Sequence, residues 1–157
     1  MTTSDPASSA AAQGNARPAP AGMAASVMHP EKDYFAFLAA GRFMLQRRRD
    51  SNVFDPGGHV FYPRMAEPGS GETAVDWVEA SGLGTVYSTT VIRPRPPAAN
   101  YNLALIDLAE GVRMTARVDG IAPEGVRIGM AVKARVVREN DQSLVVFEPV
   151  DAAQVQA

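Results

Sequence analysis

A chain of 157 residues, 46% hydrophobic and 20% charged, can build one small domain plus an appended segment and is too short for a large two-domain enzyme. A formal charge of -2 and a pI near 5.7 give no reason to expect a polyanionic partner. The chain has no cysteine, which excludes disulfides, thiolate metal sites and thiol redox chemistry and suits a reducing compartment.

Residues 1–27 are almost entirely Ala, Ser, Pro, Gly and Thr, too poor in large apolar side chains to repay the entropy of ordering them, so a disordered tail is expected. The N-terminus lacks the basic and apolar regions of a signal peptide, and no run approaches the roughly 20 apolar residues that cross a bilayer, so the expectation is a soluble, cytoplasmic protein with no membrane association. At His29-Pro30 the text changes. Pro30 suits a first helical turn, and Glu31 and Asp33 suit the positive end of a helix dipole. Tyr34, Phe35, Phe37, Leu38, Phe43, Met44 and Leu45 follow at mixed helical spacings with Gly41 as a break, which predicts a helical segment over 28–46, in one piece or two. From 47 to 72 come Arg47-Arg48-Arg49 and the turn signals around Asp55-Pro56-Gly57-Gly58 and Pro68-Gly69-Ser70-Gly71, enclosing one very short strand near Val60.

The pattern then becomes regular. Val75–Val78, Gly84–Ile92, Asn102–Leu108, Val112–Val118, Val132–Arg138 and Leu144–Phe147 are short β-type runs separated by Gly, Pro, Asn or Asp. Val112, Met114, Ala116 and Val118 fall on one face and Arg113, Thr115 and Arg117 on the other, the signature of a half-buried strand. Ala109-Glu110-Gly111 makes a tight hairpin connection. Such a series of short strands over residues 73–150 predicts a mainly β domain, a small barrel for which an OB-fold is the natural candidate and an SH3-like barrel fits nearly as well. Residues 151–157 read as a flexible C-terminus.

The chemistry-bearing residues are few. His29 and His59 are the only histidines; one borders the tail and the other lies in a Gly-rich turn, so surface or turn roles are expected. Ser81-Gly82-Leu83-Gly84 leads into a strand, where a phosphate-cradling loop would open a helix. Asp107 and Glu110 read as strand and hairpin residues rather than an acid-base pair. Arg113, Arg117, Lys133, Arg135 and Arg138 are expected on the outward barrel surface.

Tyr62-Pro63-Arg64, Trp77, the segment Ser81-Gly82-Leu83-Gly84-Thr85-Val86-Tyr87-Ser88-Thr89-Thr90-Val91, the segment Ala104–Arg113 and Arg127–Val132 together resemble the acyl-CoA-associated OB-fold family catalogued as domain of unknown function thirty-five. The resemblance runs from about Tyr34 to Pro149 and implies an N-terminal helix, a rubredoxin-like zinc ribbon and an OB-fold barrel. It further implies a non-catalytic accessory subunit of a thiolase-like lipid-transfer protein, a thiolase or aldolase, or an acyl-CoA hydratase, in a heterotetramer. No cofactor is expected to be held tightly; acyl-CoA is a ligand shared with the partner. The family ribbon carries paired cysteines, and the matching positions here are Arg48, Ser51, Glu67 and Ser70, so residues 47–72 are expected to be a degenerate, metal-free ribbon. Phe35, Phe37, Phe61 and Tyr62 are candidate partner anchors. Arg93 and Arg95, in a loop stiffened by Pro94, Pro96 and Pro97, are candidates for the phosphates of coenzyme A. The alternative, an autonomous OB-fold binding single-stranded nucleic acid, lacks a track of exposed aromatics, and an acidic pI counts against it.

Overall fold

The structure, a computed structural model, describes residues 29–48, 58–66, 71, 75–96 and 98–151. The expected tail over 1–27, most of the expected C-terminus, and the former ligand positions Ser51, Glu67 and Ser70 lie outside the described residues.

Helix α1 spans Pro30–Ala39. It starts where the proline fits, with His29 at the N-cap and Glu31 and Asp33 in the first turn. Tyr34, Phe37 and Leu38, spaced by three and four, are its buried stripe. It ends in a Schellman closure: Gly41 N–H bonds the Leu38 carbonyl at 2.9 Å and Arg42 N–H the Phe37 carbonyl at 2.9 Å. Gly41 sits at φ +75°, a conformation that costs a side-chain-bearing residue strain.

The expected helical segment is therefore too long. Met44–Arg48 form strand β1, pairing antiparallel with β2 (His59–Val60) on one side and β3 (Val75–Glu79) on the other. The apolar run Phe43-Met44-Leu45 is buried whichever way its side chains point, and such two-sided burial erases the period that separates strand from helix.

The remaining strands are β4 (Leu83–Ile92), β5 (Tyr101–Leu108), β6 (Arg113–Ala116), β7 (Ala131–Glu139) and β8 (Gln142–Pro149), in the order β6-β5-β4-β7-β8 with every pairing antiparallel. The two ends of this sheet meet. Phe147 N–H donates to the Arg117 carbonyl at 2.9 Å and Asp119 N–H to the Phe147 carbonyl at 2.7 Å, making a parallel bridge between Val118 and Phe147. This curls the sheet into an OB-fold barrel, with the 3-10 turn Pro123–Gly125 between its third and fourth strands.

Met114, Ala116 and Val118 are buried while Arg113 and Thr115 are exposed, as the alternation predicts. Val86, Ile106, Val132, Val146 and Phe147 are at most 1% exposed. Gly84 permits the closest strand approach: a Cβ there would lie 2.7 Å from Ile106 Cγ2 and 2.9 Å from the Asp107 carbonyl. The helix packs on β8 and β1, so Tyr34, Leu38, Phe43 and Leu45 join the barrel side chains in one continuous core.

Candidate functional site

The aromatic residues of α1 and of the chain after β2 converge. Tyr34 is ringed by Phe35 (centroids 5.7 Å apart), Phe61 (6.1 Å) and Tyr62 (5.7 Å), each edge-on, and Phe61 meets Tyr62 at 5.6 Å. Tyr62 donates its hydroxyl to Glu31 Oε1 at 3.0 Å, which ties this edge to the first turn of α1. Burial, with the neighbouring Tyr62 oxygen, raises the Tyr34 pKa well above the usual tyrosine value; burial and the Glu31 carboxylate raise that of Tyr62.

Of the four candidate anchors, Phe35 and Phe61 are half-buried and Tyr62 is exposed. Phe37 is not an available anchor: it is 6% exposed, its ring 5.2 Å from that of Trp77 and 5.8 Å from the Arg42 guanidinium. The reason is helical phase, since Phe37 lies on the Tyr34–Leu38 stripe and Phe35 beside it. Met65, 52% exposed, joins the surface instead. Between His29–Lys32 and Tyr62–Met65 runs an open cleft of about 370 Å³ whose lining includes Lys32 and Arg64.

A buried side chain holds this surface in place. Gln46, 2% exposed on β1, accepts the Arg64 N–H on Oε1 at 2.7 Å and donates Nε2 to the Arg64 carbonyl at 3.0 Å. The barrel contains the same device. Asn102, also 2% exposed, accepts the Val118 N–H at 2.8 Å and donates to the Val118 carbonyl at 2.7 Å. These two amides are the buried polar residues among the described residues, and each caps one backbone unit at both ends. Sequence reasoning missed both. Asn102 had a signal, the same strand parity as Ala104, Ile106 and Leu108; Gln46 had only its place after an apolar run.

His59 lies on β2 and donates Nδ1–H to the Glu110 carbonyl at 3.1 Å. Glu110 Oε1 accepts the Ser81 N–H at 2.6 Å. The hairpin residue thus links the small sheet to the start of β4, and the Ser81–Gly84 segment enters a strand as expected.

The arginines do not gather. Arg93 lies 3.9 Å from Glu124 with its side chain 65% exposed, and Arg95 is exposed in the same loop. Arg113 forks onto Asp107 and stacks 3.4 Å over the Tyr87 ring. Arg117 bridges Asp119 and Glu139, Arg135 faces Glu148 at 2.8 Å and Arg138 faces Asp141 at 3.2 Å. The hydrogen bonds to Asp119 and Glu139 raise the Arg117 pKa, and Arg117 in turn lowers that of Glu139. Arg113, Arg117, Arg135 and Arg138 are therefore each paired with a carboxylate rather than lined up as a basic track. No group of three or more His, Cys, Asp or Glu side chains suited to a metal occurs among the described residues, and no described helix is long and apolar enough to cross a membrane.

Comparison with known proteins extends this geometry. A family model described as the ChsH2 C-terminal OB-fold domain matches residues 77–137. The 3-oxo-4,17-pregnadiene-20-carboxyl-CoA hydratase alpha subunit of Mycobacterium tuberculosis is 32% identical over 115 residues, 71% of this chain and 35% of that protein. A DUF35 domain-containing scaffold protein of Methanocaldococcus jannaschii is 30% identical over 99 residues, 57% of this chain and 70% of that protein. Among solved structures, a chain of the Ltp2-ChsH2(DUF35) aldolase superposes with TM-score 0.64 at 30% identity, covering 83% of this chain and 98% of that one. The chain spans about a third of the length of the hydratase subunit it matches.

Proposed function

The chain belongs to the DUF35 scaffold-protein family, and from that premise we propose that it is a non-catalytic accessory subunit of an acyl-CoA enzyme, docking on a thiolase-like aldolase or an acyl-CoA hydratase. The observation that supports this most is the match to nearly the full length of a chain of an aldolase complex. The surface of Phe35, Phe61, Tyr62 and Met65 is the docking face, because partly exposed aromatics and methionine on a fixed backbone lose little entropy on burial. Two copies sit on a two-fold partner dimer. Acyl-CoA is shared at the junction, with Arg93 and Arg95 placed toward its phosphates, as neither is tied into the ion-pair network of the barrel strands. Binding of single-stranded nucleic acid has less support, since Arg113, Arg117, Arg135 and Arg138 already face carboxylates.

The test is co-expression with the acyl-CoA enzyme encoded beside it. The two chains should co-purify, with turnover requiring both. Tyr62→Ala should weaken the complex by about 2 kcal/mol, the cost of an aromatic anchor, and paired Arg93→Ala and Arg95→Ala should raise the KM for acyl-CoA while leaving the complex intact. Full turnover by the neighbouring enzyme alone, with no complex in a pull-down, would overturn the reading.

A further inference from the structure

A zinc ribbon is held by four metal–ligand bonds, and the residues here do not fit zinc. The matching positions are Arg48, Ser51, Glu67 and Ser70, in a chain with no cysteine. A permanently protonated guanidinium cannot ligate, and two hydroxyls with one carboxylate leave a tetrahedral site without its thiolates. Arg48 is instead part of β1, its N–H bonded to the Gly58 carbonyl at 2.9 Å. His59, the histidine of this segment, spends its Nδ1 on the Glu110 carbonyl.

We infer that the metal has been replaced by an organic clasp: the Gln46 side-chain amide, which pins both polar groups of Arg64, together with the Tyr34 ring cluster, which seats Phe61 and Tyr62 against α1. A structural metal joins segments of irregular chain that cannot bury enough apolar surface to stay together. The clasp meets the same need with different forces. Gln46 ties β1 to a backbone unit 18 positions away at 3.0 and 2.7 Å, and its own 2% exposure strengthens both bonds and makes them costly to lose. Tyr34 contributes a ring that is 4% exposed and meets the rings of Phe61 and Tyr62, three and two positions before the clasped Arg64. Tyr62 closes the loop onto Glu31 at 3.0 Å. Residues 61–64 are thus held at two ends, by rings and by an amide, with no requirement for any ion. Gln46 is a positioning residue: it touches no partner in this reading and fixes the backbone that presents Tyr62 and Met65.

This inference does not depend on the proposed partner, and its primary readout is hydrogen exchange on the full chain. In Gln46→Ala the Arg64 amide should exchange faster by about tenfold or more, the effect of losing a buried acceptor, while Ile106 and Val132 in the barrel keep their protection. Gln46→Glu keeps the acceptor and loses the donor, so it should restore most of the Arg64 protection; it also serves if the alanine variant fails to accumulate. Wild-type melting should be unmoved by a strong chelator or by added zinc. Unchanged Arg64 exchange in Gln46→Ala, equal loss in Gln46→Glu and Gln46→Ala, or a melting temperature that rises with zinc, would each overturn it.

Discussion

The barrel and the small sheet beneath α1 solve the same problem, keeping a few short strands together, in different ways. The barrel closes on itself through Val118 and Phe147, so all its strands share one interior, and Arg113, Arg117, Arg135 and Arg138 on its outside pair with carboxylates. The small sheet, order β2-β1-β3, shows no closure among the described residues and has a two-residue edge strand. It relies on borrowed contacts: rings from α1, a buried amide from β1 and a hydrogen bond from His59 to the barrel hairpin. A closed sheet stabilises by sharing a core, whereas an open one of this size needs specific cross-links. Surfaces that present side chains to a partner are more readily built on the second kind, because fewer of their residues are claimed by the core.

The largest effect that separates the two regions should come from Met114→Asp. At 6% exposure it places an unpaired carboxylate in the barrel interior, a loss of more than about 4 kcal/mol that removes soluble expression. Arg113→Glu, one position along on the exposed face, should express as a folded protein. Equal tolerance of both would show the register of β6 to be wrong.

Next in size is Asn102→Ala, which strands the Val118 N–H and carbonyl in the core beside the barrel closure. A loss of about 2–3 kcal/mol is expected from leaving buried groups unpaired, read as a global shift of the urea midpoint. The matching change at Gln46 should act locally. If both substitutions moved the global midpoint equally, the small sheet would be part of one cooperative unit with the barrel.

The smallest effects are those of pH, and they divide by region. Tyr34 has its pKa raised by burial, so the folded hydroxyl stays protonated while the unfolded one ionises near pH 10. Stability present below about pH 10 should therefore decline as the pH rises beyond it, and Tyr34→Phe should lessen that decline, leaving the part that the raised Tyr62 contributes. Glu139 has its pKa lowered by the Arg117 hydrogen bond. Its contribution is present above about pH 4.3 and is lost as the pH falls through its lower folded value, a loss that Glu139→Gln should abolish. Urea midpoints across pH 3 to 11 read both limbs.

The sequence by itself determined the barrel. Alternation along Val112–Val118 and Val132–Arg138, with Gly-rich connections between runs, leaves each strand only one way to bury its apolar face. The start of the helix at Pro30 was legible as well, and so was the absence of any thiolate ligand, which follows from residue types alone. Tertiary structure decided what has no local period. Met44–Arg48 became a strand because β2 and β3 pair with both of its edges, and the inward face of the helix met Trp77 of β3 at Phe37. The two amide clasps join residues 16 and 18 positions apart. A glutamine or asparagine reads in sequence as surface, and becomes a structural bond only when folding brings an otherwise unpaired backbone unit to it in a place without water.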